Sequence, residues 1–412
     1  MNLEHFIAKR LITSKNNQSS IAAPIIKIAI AAIAIGIIMM IISVATGVGL
    51  QQTIQQKIAA FSGHVIISNY TNNQSDVSTD PISLNQKFYP QFKSISGISH
   101  IQGVITKAAI IRTPTAFEGI IYKGVGKDYD FNNLKQYLIS GRMPNVAKTL
   151  NNEILISKYL ANRLNLKLNS PFNTFFMKDQ LNKLPNIRIF QIVGIYNSGF
   201  PEFDATYIIG DIRHLQKINK WTANQVGSFE VFIDNFDQIN EKANQIYQQT
   251  ASTLNTQPIT DKFYFIFEWL KLFDFNIIII IAIMIIVSTI NMAVALLVLI
   301  LERTQMIGIL KSIGATNWSI RKIFLYNAFY LISRGLFYGN TIAITALLVQ
   351  KYFQLLTFPN PEQYYTKVVP VDINVLNILL LNLGTIAICL LVLLIPSYII
   401  TKISPSKAIR FD

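Results

Sequence analysis

Four stretches of the chain lack charged residues almost completely, and they constrain its fold more than any other feature of the sequence. As a helix rising ~1.5 Å per residue, each is long enough to cross the ~30 Å hydrocarbon layer of a membrane. Only Arg334 interrupts the third stretch, and Pro396 lies near the end of the fourth. The stretches are Ile28–Leu50, Asn276–Leu301, Ile323–Gln350 and Ile373–Thr401. We therefore predict an α-helical membrane protein with four transmembrane helices, at residues 25–50, 275–301, 323–350 and 373–401.

The composition excludes an ordinary soluble protein. Hydrophobic residues make up 51% of the chain and charged residues 14%, whereas average globular chains carry about 25% charged residues. The net charge of +14 would suit a nucleic-acid partner, but basic residues beside membrane spans serve as orientation signals. A nucleic acid is therefore not expected as a partner. A cleaved signal peptide is the alternative for the first stretch, but its apolar run exceeds the usual ~7–15 residues.

The orientation follows from lysines and arginines in short segments beside the spans. They concentrate in the N-terminal segment 1–24, in the connection 302–322 and in the tail 402–412. With four spans these segments share one side of the membrane, and cytoplasmic loops carry an excess of Lys and Arg. We therefore expect cytoplasmic termini, with residues 51–272 and the loop 351–372 on the outer side of the membrane. Segment 1–24 carries an apolar stripe that favours a membrane surface, formed by Leu3, Phe6, Ile7 and Leu11.

The long outer segment, residues 51–272, has the pattern of a large α+β domain. Short β-rich runs bounded by turn residues predict strands, and apolar residues at helical spacing predict helices. The predicted strands are His64–Tyr70, Ala108–Arg112 and Phe229–Asp234, and the predicted helices are Glu153–Leu164 and Gln238–Thr250. About 220 residues are enough to bury a core, and we expect two lobes with a boundary near residue 150.

A hairpin is predicted within this domain. Pro171–Met177 and Ile187–Val193 are strand-like and are separated by the largely polar run Lys178–Asn186. Two interpretations stay open: a solvated surface loop, or a docking element for a soluble partner.

The sequence contains no recognisable catalytic or metal-binding motif. Its histidines and its single cysteine are scattered, without the spacing of metal ligands. Asp128 and Asp130 fit a solvated turn better than an acid/base pair. The pair Gly126–Lys127 lacks the preceding glycine and the following hydroxyl residue that a phosphate loop requires. We therefore predict neither catalysis nor a metal or cofactor in this chain, and if its work requires energy, a separate chain must supply it.

The connection 302–322 has the pattern of a short helix followed by a second helix start. Its apolar residues recur on one helical face, namely Met306, Ile309, Leu310 and Ile313. Gly314 suits a helix stop, and Thr316 or Asn317 suits the cap of the next helix. No internal core is evident for this face, so a groove on a partner would cover it. The alternative is an interfacial helix that lies among the lipid headgroups.

Several segments resemble a known family. Leu310–Thr316 resembles the signature of FtsX-like permeases, the membrane subunits of mechanotransmission-type ABC transporters, and Ser404–Asp412 is similar to that family's closing segment. The layout of one span, a large outer domain and three spans is also similar. Within the superfamily, Phe6–Arg10 and Gly194–Asp204 resemble segments of the LolC/LolE lipoprotein-releasing group.

The resemblance implies roles for two segments. Residues 302–316 would form a coupling helix seated in the ATPase, with the contacts made by Glu302, Arg303, Met306, Ile307, Leu310, Lys311, Gly314 and Ala315. The hairpin would fall where such proteins carry a hook for a periplasmic lipoprotein chaperone, formed here by Met177, Lys178, Asp179, Leu181, Leu184 and Pro185.

Two polar residues inside the spans, Arg334 and Asn291, are candidates for function. A charge at mid-membrane costs about 2.5–3.5 kcal/mol on insertion scales, so Arg334 is expected to face protein, water or the headgroups. Asn291 and Asn382 are able to hydrogen-bond between helices, and Gly335 and Gly339 form a face of small residues. Ordinary bundle packing is the favoured interpretation of the asparagines and glycines.

The leading hypothesis is a permease subunit that couples ATP hydrolysis by a cytoplasmic ATPase to movement of the outer domain, and so extracts lipoproteins from the inner membrane. The expected partners are that ATPase, a second copy or a paralogous permease subunit, a lipoprotein or lipid-like substrate, membrane lipid and a periplasmic chaperone. Two alternatives stay open. The same architecture would also serve an envelope hydrolase or an efflux partner, or the chain is a membrane scaffold without a transport cycle.

Overall fold

The computed structural model describes residues 3–13, 22–72, 75–147, 149–178 and 184–403. The chain divides into two compact units. The membrane unit comprises residues 1–51, 269–356 and 369–412, and the outer unit comprises residues 52–268 and 357–368.

Long helices dominate the membrane unit, and strands with short helices build the outer unit. In the described residues, the helices are α1 Leu3–Thr13, α2 Ala22–Ser62, α3 Asn132–Lys135, α4 Lys158–Arg163, α5 Pro201–Asp204, α6 Ile212–Asn219, α7 Ile239–Gln249, α8 Ile259–Lys262, α9 Tyr264–Glu302, α10 Thr304–Ser312, α11 Asn317–Phe353, α12 Val375–Ser397 and α13 Ile399–Lys402. The strands are β1 Val65–Asn69, β2 Ile82–Ser83, β3 Ile98–Arg112, β4 Phe117–Val125, β5 Leu138–Gly141, β6 Glu153–Ser157, β7 Pro171–Phe176, β8 Asn186–Tyr196, β9 Tyr207–Asp211, β10 Gln225–Val226, β11 Ser228–Ile233 and β12 Leu254–Pro258.

Among the described residues, four helical stretches are long and apolar enough to cross a membrane. They are Ala23–Ser62, Tyr264–Glu302, Asn317–Phe353 and Val375–Lys402. Each contains most or all of one predicted span. The predicted α-helical membrane protein with a large α+β domain is therefore the observed fold class.

Close packing of small residues brings α2 and α11 together in the membrane unit. A Cβ atom at Gly335 would lie 2.8 Å from Cβ of Ile33, and one at Gly339 would lie 2.8 Å from the carbonyl oxygen of Ala34. These glycines let the two helix backbones approach, as small residues do at helix contacts in membranes. Bundle packing therefore accounts for the small-residue face that the sequence shows.

The outer unit is built on one ten-stranded mixed sheet with the order β12-β1-β11-β3-β4-β9-β6-β8-β5, and β7 pairs with both β3 and β8. A boundary near residue 150, which we expected, does not match this topology. Strand β4 pairs with β9, and β5 pairs with β8, so strands from before and after that residue share one sheet.

The predicted helix Glu153–Leu164 is wrong in its first half. Residues Glu153–Ser157 form β6, and only Lys158–Arg163 is helical. The side chain of Ser157 caps this short helix by accepting a hydrogen bond from the backbone N–H of Leu160. A strand that runs directly into a helix places apolar residues at mixed spacing, and this mixture imitates a longer helix.

Candidate coupling and docking sites

Helix α10 follows α9 almost without interruption and ends where the sequence predicts. Gly314 adopts a left-handed conformation with φ of 96°, which only glycine accepts without strain. The backbone N–H of Ala315 thereby donates to the carbonyl of Leu310 at 2.9 Å. The next helix starts at a cap in which Thr316 Oγ1 accepts from the N–H of Ser319 at 3.2 Å. The connection is therefore a short helix with a fixed turn on its far side.

The apolar face of α10 is divided between the protein and the surroundings. Ile307, which lies off the predicted face, is fully buried in the membrane unit, and Met306 and Leu310 pack against the same cluster. Ile309 and Ile313 point away, and Ile313 is 74% exposed. The expectation that this face has no internal core to cover is therefore wrong for Met306 and Leu310. Only the outward pair is available to a partner within the described residues.

Lys311 binds the membrane unit itself. Its Nζ donates to the carbonyl oxygens of Ile400 at 2.6 Å and Ile403 at 2.8 Å. These carbonyls belong to the end of α13 and the residue after it, where helical carbonyls lack partners within the helix and attract cations. Burial lowers the pKa of the Lys311 ammonium. Lys311 therefore anchors α10 to the membrane unit.

The remaining predicted coupling residues lie at the ends of α10. Glu302 closes α9, and Arg303 occupies the N-cap position of α10 without a side-chain cap hydrogen bond. Gly314 is exposed, and Ala315 is half-buried against the membrane-unit cluster.

Helix α1 packs on the start of α11, and this contact was not predicted. The carboxylate of Glu4 accepts a hydrogen bond from Ser319 Oγ at 2.8 Å, and the rings of His5 and Tyr326 meet edge to face at 5.7 Å. Ala8 is buried. Helix α1 therefore uses one helical face for α11 rather than lying on a membrane surface alone.

Strands β7 and β8 form the predicted hairpin. They pair antiparallel from Pro171 opposite Gln191 to Phe176 opposite Asn186, so this prediction is confirmed. Of the predicted hook residues, Met177, Lys178, Leu184 and Pro185 are described, whereas Asp179 and Leu181 lie outside the described residues.

Exposed apolar side chains gather at the loop end of this hairpin, where β7 ends and β8 begins, and form a surface that we call the hairpin patch. Its members are Phe117, Met177, Leu184, Ile187 and Ile189. Leu184 is 85% exposed and Phe117 is 74% exposed. A recess of about 480 Å³ lies beside Met177 and Pro185. Grouped exposed apolar residues are typical of interaction sites, so this end of the outer unit suits a partner with an apolar face.

Segment Gly194–Asp204, which carries part of the family resemblance, forms an aromatic junction in the outer unit. The ring of Phe203 stacks on Phe61 at 5.0 Å, and the ring of Phe200 stacks on Tyr365 at 4.5 Å. Lys57 Nζ donates to the carbonyl of Tyr365 at 2.6 Å. The junction thus binds both the end of α2 and the loop 357–368.

The carboxylate of Asp204 organises the turn of this junction. It accepts hydrogen bonds from the backbone N–H and the hydroxyl of Ser198, at 3.0 and 2.8 Å, and from the N–H of Gly199 at 3.0 Å. Burial raises the pKa of the Asp204 carboxyl, against these hydrogen bonds and the charge of Lys57, which lower it. The sequence motif therefore encodes a turn that holds aromatic rings in place.

A second buried polar group holds the end of α2. Lys123 Nζ donates to Glu230 Oε1 and to the carbonyl oxygen of Phe61, both at 2.5 Å. Gln102 donates to the other oxygen of Glu230 at 2.8 Å. Because Phe61 lies in the last turn of α2, the lysine satisfies one of the carbonyls that a helix end leaves open. Sequence reasoning missed this group, since its charged members are distant along the chain.

The intramembrane polar residues have mainly local contacts. The guanidinium of Arg334 lies over the ring of Tyr330 at 4.5 Å. Asn291 donates to the carbonyl oxygen of Val287 in its own helix at 2.9 Å. A bond between helices joins Asn340 and Asn382, whose amides exchange hydrogen bonds of 2.7 and 2.9 Å.

The described residues combine four candidate membrane spans, a mixed-sheet α+β unit and a short helix between the second and third spans. Together with the family models that match it, this architecture is that of a membrane permease component with a periplasmic-type domain. A family model described as the MacB-like periplasmic core domain matches residues 28–262, more than half of the chain. A second, described as FtsX-like permease C-terminal, matches residues 278–405. The chain belongs to the MacB- and FtsX-like permeases of ABC transporters. Members of this family work with a cytoplasmic ABC ATPase.

Curated relatives match nearly the whole chain at low identity. The lipoprotein-releasing system transmembrane protein LolC of Buchnera aphidicola subsp. Schizaphis graminum (strain Sg) is 22% identical over 398 residues, which cover 93% of this chain and 92% of the relative. LolC of Xylella fastidiosa (strain Temecula1 / ATCC 700964) is 19% identical over 398 residues, with 92% of each chain covered. The crystal structure of the periplasmic region of MacB from Actinobacillus actinomycetemcomitans is 14% identical and covers 50% of this chain and 92% of its own, with a TM-score of 0.32.

Proposed function

We propose that this chain is the permease subunit of an ABC transporter that extracts lipoproteins from the membrane, and that its ATPase acts on α10. The observation that carries the proposal is the two-sided construction of α10. Ile307 and Lys311 fix the helix to the membrane unit, whereas Ile309 and Ile313 point outward. A helix that is anchored on one side and apolar on the other is suited to seat in a partner groove and pass on its movement. The LolC names of two relatives support lipoproteins as the cargo.

The coupling role is tested by a charge on the outward side of α10. Ile313→Glu places a carboxylate in the proposed contact, and burying an unpaired charge costs several kcal/mol. We expect ATPase binding and stimulation in membranes to fall by about tenfold or more. Because Ile313 is largely exposed, the fold should be unaffected. Ile313→Leu keeps the surface apolar and serves as the matched control. ATPase stimulation of the Glu variant at the level of the Leu variant would refute the assignment.

The proposal includes an orientation, with both termini and α10 in the cytoplasm and the outer unit in the periplasm. Cys389 is the only cysteine of the chain and is buried, so an introduced cysteine reports cleanly. In intact cells, an impermeant maleimide should label Thr115→Cys in the outer unit and leave Ser312→Cys in α10 unlabelled. Labelling of Ser312→Cys but not of Thr115→Cys would place α10 outside the cytoplasm, where a cytoplasmic ATPase could not contact it, and would refute the proposal.

The hairpin patch is the proposed docking element for a lipoprotein chaperone. A photo-crosslinking residue at Leu184 should capture a soluble periplasmic protein, whereas the same residue at Tyr247, which is exposed on α7, should not. Mass spectrometry of the adduct identifies the partner. A lipid-carrying chaperone supports lipoprotein release. An envelope hydrolase or an efflux component would overturn the cargo assignment and leave the coupling role standing.

The chain is also proposed to work as part of a dimer, with a second copy or a paralogous permease subunit. Purification in mild detergent with differently tagged copies distinguishes these assemblies, because only a homodimer yields both tags from one pull-down. Recovery of the chain without any permease partner or ATPase would favour a membrane scaffold and overturn the transport cycle.

A further inference from the structure

An open groove of about 1080 Å³ lies in the membrane unit between α1, α11 and α12. Its walls are mostly apolar, with Leu325 and Phe329 from α11 and Leu390 and Leu394 from α12. Lys322 lies at one end of its α11 wall, and Ser333 lies at the other. The groove is therefore basic at one end and apolar over most of its length.

The length of the groove matches one leaflet of a membrane. From Lys322 to Ser333, α11 rises ~16 Å at ~1.5 Å per residue, and half of the ~30 Å hydrocarbon layer is ~15 Å. Lys322 lies in the first turns of the span Asn317–Phe353, so the basic end of the groove falls at headgroup level. A transmembrane helix of a partner would need a contact stripe across both leaflets, which this groove does not offer.

Lys322 is the basic group at the end of the groove, and its carboxylate partner is shared. Lys322 is 4.0 Å from Glu4, and that carboxylate also accepts a hydrogen bond from Ser319. Arg321 precedes Lys322 but lies outside the groove wall, where its guanidinium lies over the ring of Tyr398 at 5.1 Å. A distant contact with a shared carboxylate leaves Lys322 able to bind an anionic headgroup as well.

We infer that this groove binds an anionic phospholipid, with one acyl chain between α1 and the α11–α12 pair and the phosphate beside Lys322. The binding site is independent of the proposed transport function. Because the lipid would contact both α1 and α11, it would hold α1 against the start of the helix that follows α10 and Gly314. The expected headgroup preference follows from the attraction of basic residues to anionic lipid.

The experiment uses the purified full-length chain, incubated with equal amounts of phosphatidylglycerol and phosphatidylcholine, and native mass spectrometry of the bound lipid. We expect phosphatidylglycerol to be retained about fivefold over phosphatidylcholine. Lys322→Gln should reduce the ratio to near one. Lys351→Gln, which removes a charge from the other end of α11, should leave it unchanged. Equal losses in the two variants would mean general charge attraction and would overturn the site.

Two further measurements separate a bound lipid from other occupants. Ala387→Trp fills the groove from α12, where Ala387 is exposed, and should abolish retention of both lipids. Retention at the wild-type level would overturn the inference. A photo-crosslinking residue at Leu391, which tests the groove without filling it, should yield a lipid adduct. A protein adduct there would show that a partner subunit covers the groove and would equally overturn it.

Discussion

Breaking the buried ion pair of the outer unit should destabilise the protein strongly. The side chains of Lys123 and Glu230 are 4% and 7% exposed, and their charged atoms are 2.5 Å apart. The substitution Lys123→Met removes the ammonium and keeps much of the aliphatic chain. It leaves the carboxylate of Glu230 with the amide of Gln102 as its remaining side-chain donor within the described residues, and it leaves the carbonyl of Phe61 without its lysine.

The size of the effect follows from burial. Removing one partner of a buried pair costs about 3–5 kcal/mol, because the other charge stays buried without compensation. This is a large part of the roughly 5–15 kcal/mol that stabilises a folded domain. Burial also lowers the pKa of Lys123, against the charge of Glu230, which raises it. The ammonium is therefore costly to bury, and the double variant Lys123→Met, Glu230→Leu should regain more than half of the lost free energy of unfolding.

The measurement is urea denaturation of the detergent-solubilised chain, with proteolytic protection of the outer unit as the signal. Arg163→Met breaks the pair of Arg163 with Glu118 at the protein surface and is the control; exposed pairs contribute little, so no resolvable change is expected. The reasoning fails if Lys123→Met unfolds at the wild-type urea concentration. It fails equally if the double variant is less stable than the single one.

Three further perturbations have defined outcomes. Lys311→Met should lower the melting temperature of the chain, because carbonyls at the end of α13 lose a charge-assisted hydrogen-bond donor worth about 1.5–3 kcal/mol. An unchanged melting temperature would show that Lys311 does not anchor α10. Gly339→Ala should destabilise the membrane unit in a thermal melt, since the new Cβ would lie 2.8 Å from a backbone oxygen, whereas Gly384→Ala, which has open space, should not. Burial lowers the pKa of His64 to about 4 from 6.5. Between those pH values the unfolded chain binds a proton that the folded chain does not. The free energy of unfolding should therefore decrease as the pH is lowered from about 6.5 to about 4, by up to roughly 3 kcal/mol at about 1.36 kcal/mol per pH unit; if His64→Gln keeps the full slope, another group is responsible.

The helices of the membrane unit and their ends were predictable from the sequence, because the length of an apolar run and the residues of a turn are local signals. The stop at Gly314 and the cap at Thr316 each depend on residues a few positions away, and both are found where the pattern predicts. The partner of Lys311 was not predictable in this way. Its acceptors lie at Ile400 and Ile403, and helical spacing does not tell which end of which helix a lysine will reach.

In the outer unit, too, local sequence patterns predicted the elements but not the side-chain contacts across the sheet. Individual strands such as β11 were readable from alternation, and so was the β7–β8 hairpin. The pairing of Lys123 with Glu230 depends on the order of strands β4, β3 and β11, which no local pattern encodes. The division of the α10 face also escaped prediction, because periodicity marks Met306 and Ile313 as one face and does not say that the bundle covers only the first.

The buried side chain of Gln350 has a consequence for the loop that follows α11. Its amide donates to the carbonyls of Leu356 and Val369, at 2.9 and 3.0 Å, and its oxygen accepts from the N–H of Leu356 at 2.8 Å. Gln350 therefore holds together Leu356 and Val369, the two residues that flank the segment 357–368. Closing a free loop of that length would cost roughly 2 kcal/mol in chain entropy. Because both ends of the segment are already held, less chain entropy is lost when Tyr365 packs against Phe200.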